Sequence, residues 1–582
     1  MRLALAQLNA LVGDLEGNGD RLLAACTQAA AAGADLVVSS ELSLWGYPPR
    51  DLLLQQALIE KQSRVLDRLA AAMPAGVALL AGVAEATPEP GWPSLYNAVA
   101  LVESTGWRVV GRKRLLPSYD VFDERRYFRP GQEAAVLNLD IGGHLWRLGL
   151  TICEDLWVED DLHGHRLAGA DPVAELGAAG IDLLLNLSAS PFGQGKAAVR
   201  RRLAARAAAR LAVPVVYVNQ IGGNDELVFD GASFVVNAAG GMELQLACAA
   251  QEVACWQPGP GAFPPGGLPP GPPLQAAKET DPMEQLLRVL VLGLADYGRK
   301  CGFQKAVLGL SGGIDSALVA VLASAAFGAD QVAALLMPSP WSSRGSIDDA
   351  LTLAQRLALG SCTLPIAPLM ASCDQTLEPA LGGPPTGLAA ENLQSRLRGL
   401  LLMALANQQG RLLLATGNKS ELAVGYCTLY GDMNGGLAVI GDLYKTTIFD
   451  LCAWLDSPAA EACRASLGLP SQGELIGGAI RHKPPSAELR PDQKDSDSLP
   501  PYDLLDPLLK ALIEHQSSPE DLVAAGADGA VVARVQRLLR LAEFKRRQAA
   551  PTLKVSGRAF GSGWRMPIAA LLPELQQPSG PR

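Results

Sequence analysis

The segment from residue 258 to 273 constrains this chain more than any other. Thirteen of its sixteen residues are Pro or Gly. Proline lacks the backbone N–H and glycine weakens regular structure, so neither a helix nor a strand ladder persists through it. The chain therefore reads as an N-terminal block (1–257), a linker (258–275) and a C-terminal block (276–582). At roughly 100–200 residues per domain, 582 residues suit two to four domains.

Both blocks alternate short apolar runs with Ala/Leu-rich stretches. Residues 35–39, 77–81, 182–186 and 213–218 read as buried strands and the Arg/Ala-rich stretch 200–212 as a helix; 306–310, 332–337 and 411–415 repeat the strand pattern. This alternation predicts α/β layers in both halves. The opening apolar run Leu3 to Ala6, soon followed by Asn9, Asp14 and Glu16, reads as a first strand and not a signal peptide. The polar, Pro-containing stretch 481–501 reads as a long mobile loop.

With 49% hydrophobic and 19% charged residues the chain has material for large cores. A net charge of −10 argues against a broad nucleic-acid surface, which needs clustered Lys and Arg, but leaves room for a nucleotide as substrate. No run approaches the 18 or so apolar residues of a membrane span. Ten scattered cysteines without a C-x-x-C pair predict neither disulfides nor a zinc site, and a cytoplasmic location.

The stretch Leu310-Ser-Gly-Gly-Ile-Asp-Ser316 follows one predicted strand and opens a predicted helix at 317–326. Paired glycines let the backbone approach a phosphate, the helix N-terminus adds a favourable dipole, and the Asp315 carboxylate suits Mg²⁺. An ordinary turn with Ser and Asp as helix caps is the plain alternative. The loop lacks the lysine of a G-x-x-x-x-G-K-[ST] motif. It resembles instead the S-G-G-x-D-S signature of the ATP pyrophosphatases, which grip diphosphate and transfer AMP.

Further words at 338–343, 391–398, 416–421, 425–433, 441–446, 486–493, 544–548 and 565–568 resemble those of NAD synthetases. The resemblance implies a doubly wound parallel (Rossmann-like) sheet with ATP at the strand carboxyl ends. Gly309, Leu310, Ser311, Gly312, Gly313, Ile314, Asp315 and Ser316 would cradle the triphosphate, with Thr416 and Lys445 beside it. Asp315 and Glu421 would share Mg²⁺, and Asn392, Arg396, Glu421 and Lys545 would hold deamido-NAD⁺. Taken singly, Arg396 and Lys545 also read as solvated helix charges and Lys445 as a surface residue.

In the first block, Cys153 ends the apolar run 146–152. A thiolate nucleophile needs a base for its proton and a cation for the oxyanion. Glu41, in Ser40-Glu-Leu-Ser-Leu-Trp, and Lys113, in Gly111-Arg-Lys-Arg, are candidates. His144, His163 and His165 sit in polar, loop-like sequence and read as surface residues. By itself Cys153 also reads as a buried structural thiol.

The surrounding words, from residue 1 to about 250 and including 219–231, resemble the nitrilase or carbon–nitrogen hydrolase family, whose triad is Glu, Lys and Cys in this chain order. The resemblance implies an αββα sandwich. Glu41 would serve as general base and acid, Lys113 would stabilise the oxyanion, Cys153 would form a γ-glutamyl thioester, and Glu124 matches a second glutamate near the triad. Tyr119, Ser190 and Lys196 would bind glutamine. Ser40 stands where the family usually has Pro, a departure expected to affect loop stiffness more than chemistry.

The two halves together resemble glutamine-dependent NAD synthetases. That resemblance implies ammonia made from L-glutamine, adenylation of deamido-NAD⁺ by ATP with Mg²⁺, and displacement of AMP by ammonia. It also implies a homo-oligomer acting on small molecules, with neither nucleic acid nor membrane as partner. Three alternatives stand beside it. They are another amidotransferase of the ATP-cleaving class, an amidase whose second half only binds nucleotide, and a non-enzymatic sensor of NAD precursors. The last would have no need of Glu41, Lys113 and Cys153 together.

Overall fold

The computed structural model describes residues 1–159, 167–259 and 280–570. His163, His165 and most of the Pro/Gly segment lie outside them. The chain divides into two compact units, Met1–Val289 and Leu290–Arg582. The division falls inside the helix Pro282–Lys300, later than the sequence boundary at 276.

The first unit contains two six-stranded sheets and a two-stranded ribbon. One sheet runs Glu252–Trp256, Leu3–Gln7, Leu36–Val38, Ala78–Ala86, Leu95–Glu103 and Gly106–Arg112; the other runs Met242–Gln245, Phe234–Val236, Val215–Asn219, Leu183–Ser188, His144–Ile152 and Ala135–Ile141. Their central strands are parallel and their outer pairs antiparallel.

Side chains alternate between faces along a strand, and here both faces are covered. Leu3, Leu5, Leu36 and Val38 meet Leu148, Leu185, Leu187 and Val216 in the core between the sheets. Ala4, Ala6 and Val37 turn the other way, onto Leu22 and Ala25 of the helix Leu15–Ala31 and Val65 and Leu69 of the helix Gln56–Ala72. Leu184, Val215 and Tyr217 likewise face Val173 of the helix Pro172–Ala179 and Leu203 and Ala207 of the helix Lys196–Leu211. Helix, sheet, sheet, helix is the αββα sandwich that the family resemblance implied. His144 is exposed as expected, but it opens a strand and sets its ring edge against Trp146.

The second unit is built on five parallel strands in the order Gly360–Thr363, Val332–Leu336, Ala306–Gly309, Leu412–Ala415 and Leu437–Ala438. This is a doubly wound order whose switch point lies between Ala306–Gly309 and Leu412–Ala415, where such sheets bind ligands at the strand carboxyl ends. The helix Ile314–Phe327 is almost wholly buried, consistent with its unbroken Ala/Val/Leu sequence. It begins three residues before the predicted start, so Asp315 and Ser316 belong to its first turn. The stretch 481–501 has one helical turn, Asp495–Asp497, and is otherwise mostly irregular, as its prolines require. It is fastened, however. Glu488 accepts hydrogen bonds from the hydroxyls of Ser343 and Ser346, and Gln394 donates to the Leu489 carbonyl.

Candidate active sites

In the first unit three carboxyl-terminal strand ends deliver the expected triad. Glu41 follows Leu36–Val38, Lys113 follows Gly106–Arg112, and Cys153 follows His144–Ile152. Lys113 donates to Glu41 Oε1 at 2.6 Å and to Glu124 Oε1 at 2.8 Å, with its side chain sealed from water. Asn97 Nδ2 donates to the same Glu41 oxygen at 2.7 Å, and the Ala189 N–H donates to Oε2 at 3.1 Å. The Tyr47 hydroxyl donates to Glu124 Oε1 at 2.8 Å. Four groups thus hold two buried carboxylates, as buried charge requires.

Burial alone opposes the Lys113 ammonium, but the charges of Glu124 and Glu41 outweigh it and raise its pKa well above the lysine range. Burial pushes Glu124 up to about 7, against the pull of Lys113. Burial also pushes the Cys153 thiol up; Glu41 adds to the rise and Lys113 opposes it. The resting thiol is therefore neutral and needs a base to become a nucleophile. Cys153 has φ +46°, a sharp turn out of its strand that leads directly into the helical turn Cys153–Leu156.

The three expected glutamine ligands lie around this triad. The Tyr119 hydroxyl donates to both oxygens of Glu154, the residue after Cys153, at 3.0 and 3.1 Å. Lys196 opens the helix Lys196–Leu211 and holds its ammonium over the rings of Trp157 and Phe122. Ser190 follows Ala189, and its N–H donates to Asn219 Oδ1 at 2.9 Å.

The second site gathers at the switch point of the parallel sheet. The loop 309–316 leaves Ala306–Gly309, and Thr416 follows Leu412–Ala415. Leu310 and Ile314 bury their side chains, so only their backbones can face a ligand. The Ser311 and Ser316 hydroxyls bond each other at 3.0 Å, and the Gly313 N–H donates to Ser311 Oγ at 3.2 Å. Lys445 donates to Asp315 Oδ2 at 2.5 Å and to Glu421 Oε1 at 3.4 Å, so one cation joins both carboxylates. Burial pushes Glu421 up to about 8; Lys445 opposes the rise and Asp315 reinforces it. Two hard-oxygen carboxyl groups that one ammonium already joins are of the type that could hold a magnesium ion. Among the described residues no three His, Cys, Asp or Glu side chains converge as a metal cage.

Three expected substrate ligands converge on residues 425–429. Thr428 Oγ1 donates to Asn392 Oδ1 at 2.9 Å, Arg396 Nε donates to the Leu429 carbonyl at 3.2 Å, and Lys545 donates to the carbonyls of Gly425 and Cys427 at 2.8 and 2.6 Å.

Comparison with known proteins decides the family. Residues 2–247 match the carbon-nitrogen hydrolase family and residues 286–549 match NAD synthase. A glutamine-dependent NAD(+) synthetase from Synechocystis sp. is 47% identical, with 97% of this chain and 98% of that one aligned. The one from Rhodobacter capsulatus is 42% identical at the same coverage. The chain belongs to the glutamine-dependent NAD(+) synthetases. It is a ligase that makes NAD⁺ with glutamine as amide donor. The solved glutamine-dependent NAD⁺ synthetase from Acinetobacter baumannii, in complex with adenosine diphosphate, is 35% identical with a TM-score of 0.73, over 97% of this chain and 98% of its own.

Several groups at these synthetase sites escaped sequence reasoning. Asn97 is one polar residue inside an apolar strand, a weak signal by itself. Asn418, whose Nδ2 donates to Asp315 Oδ1 at 2.9 Å, carried a better one. It stands three residues before Glu421, the spacing of a capping box, and caps the helix Lys419–Val424. Asp432, pushed up to about 6 by burial, accepts from the Thr428 N–H at 2.7 Å and carries no signal of its own within 425–433.

Proposed function

We propose that the first unit releases ammonia from L-glutamine through Cys153, and that the second uses ATP to adenylate deamido-NAD⁺ and then amidates it. Glu41 takes the proton of Cys153 as Sγ attacks the carboxamide carbon, and the Lys113 ammonium stabilises the oxyanion. Glu41 returns the proton to the leaving nitrogen, so ammonia departs and a γ-glutamyl thioester remains. Water, losing its proton to Glu41, attacks the thioester; glutamate leaves and the thiol is restored. Glu124 steadies Lys113, and Tyr119, Ser190 and Lys196 hold the amino-acid end of the substrate.

In the second unit a carboxylate oxygen of the nicotinate attacks the α-phosphorus of ATP, and diphosphate leaves. Ammonia attacks the acyl carbon, AMP leaves, and the nitrogen gives up a proton, yielding NAD⁺. The backbone of 309–316 cradles the triphosphate with Thr416 and Lys445 at its side, while Asn392, Arg396, Glu421 and Lys545 hold deamido-NAD⁺. Asp315 and Glu421 would hold Mg²⁺, which when bound neutralises charge on the departing diphosphate. The ADP complex of the Acinetobacter baumannii relative supports an adenine nucleotide here. The family resemblance further supports a cytoplasmic homo-oligomer working on small molecules.

The observation that carries this reading is the buried Glu41–Lys113–Glu124 chain beside a neutral Cys153. Its test is Cys153→Ala assayed for NAD⁺ with each nitrogen donor. Glutamine-driven synthesis should vanish and ammonia-driven synthesis persist; equal loss of both would contradict two separate chemistries.

A further inference from the structure

Lys483 has no part in the roles assigned above, yet it reaches the glycine loop itself. Its ammonium lies 2.5 Å from Asp349 Oδ2, 3.1 Å from the Gly312 carbonyl oxygen and 3.2 Å from Ser346 Oγ. Gly312 has φ +79°, and a Cβ there would stand 2.1 Å from the Ser346 carbonyl oxygen. The loop and the helix Arg344–Arg356 thus approach backbone to backbone, and Lys483 bridges that approach.

A trans peptide unit is planar, so its C=O and N–H point in opposite directions. With the Gly312 carbonyl turned onto Lys483, the Gly313 N–H must point away from it, and it meets Ser311 Oγ within the loop at 3.2 Å. Two adjacent glycines leave this peptide little steric restraint of its own. Were it to rotate, a carbonyl oxygen would replace an N–H as the group presented to an anion. A lysine holding the Gly312 carbonyl is the restraint the paired glycines lack.

We propose that Lys483 is a positioning residue for nucleotide binding. It holds the Gly312–Gly313 peptide with its N–H toward the triphosphate, and Asp349 and Ser346 hold the lysine in place. The inference rests on the reading of 309–316 as the ATP loop. Its sequence signal is slight, a single lysine in His482-Lys-Pro-Pro at the start of a polar stretch.

The test uses the full chain, with Mg·ATP affinity from calorimetry and initial rates with ammonia as donor. Lys483→Met should raise the Kd and the KM for ATP roughly ten- to a hundredfold, the scale of one hydrogen bond to a charged group. The KM for deamido-NAD⁺ should stay unchanged. Lys483→Arg, which keeps a cation within reach of the carbonyl, should recover most of the loss. An unchanged ATP Kd in Lys483→Met overturns the role. If that variant melts early, Asp349→Asn decides, because it leaves the ammonium present but loosely held. A raised ATP Kd there supports the role and an unchanged one overturns it. Failure of the unaltered chain to bind Mg·ATP would instead overturn the reading of the loop.

Discussion

Lys113 shows what a single residue contributes to these sites. An ammonium sealed from water costs several kcal/mol to desolvate, and only close, hydrogen-bonded carboxylates offset that. Glu41 and Glu124 do so at 2.6 and 2.8 Å, and the same contacts aim the cation beside Cys153. Glu154 has the opposite balance. Burial pushes it from 4.5 up to about 7, although Lys113 and the Tyr119 hydroxyl oppose the rise. A carboxyl whose folded pKa exceeds its unfolded value favours the fold in its neutral form. That contribution is complete below pH 4.5 and is lost as the pH rises through about 7. Glu154→Gln should therefore flatten the decline of stability across this window, by on the order of 3 kcal/mol. Denaturant titrations of both proteins at several pH values check this, and parallel stability curves would contradict it.

At the scale of elements, the sites depend on how closely segments approach. The turn carrying Glu41 lies against the strand Ala78–Ala86 because Gly82 has no side chain. A Cβ there would stand 2.1 Å from the Leu42 nitrogen and 2.6 Å from the Ser40 carbonyl oxygen. Gly82→Ala should push that turn away and with it the base. We expect glutamate release to fall at least about tenfold, since misplacing a reacting group by about 1 Å costs roughly a hundredfold. Ammonia-driven synthesis should be unaffected; a matching loss there would mean general unfolding. The helix Lys419–Val424 works similarly in the second unit, where its cap Asn418 also tethers Asp315 and its third residue, Glu421, shares Lys445.

At the scale of the whole molecule, the chain joins an ammonia-making half to an ammonia-using one. At neutral pH free ammonia is mostly ammonium, which has no lone pair to attack an acyl-adenylate, so release into bulk water wastes the nucleophile. A mixture of Cys153→Ala and Asp315→Ala proteins contains one competent glutaminase and one competent synthetase on different chains. Supplied with glutamine, this mixture should make NAD⁺ far more slowly than the unaltered protein, and added ammonium should restore the rate. Equal rates from mixture and unaltered protein would show that ammonia travels freely through solution.

Much of this was legible in order along the chain. The Pro/Gly stretch set the expected boundary, since a backbone without donors or restraint cannot continue a ladder. Apolar runs marked the central strands, since these are buried on both faces. The candidate triad and the S-G-G-I-D-S loop were named through short words that resemble those of known families, each word being a few consecutive residues long. What remained hidden was what comes from afar. Asn97 reaches Glu41, Ala189 offers its N–H, Asn418 reaches Asp315 across 103 positions, and Lys483 reaches Gly312 across 171. Local sequence determines where strands begin and end, through propensity and periodicity that act over a few residues; the chemistry expected at those ends came from the family resemblance. Which buried charge meets which partner is decided only when the layers pack, because desolvation and hydrogen bonding depend on separation in space and not along the chain.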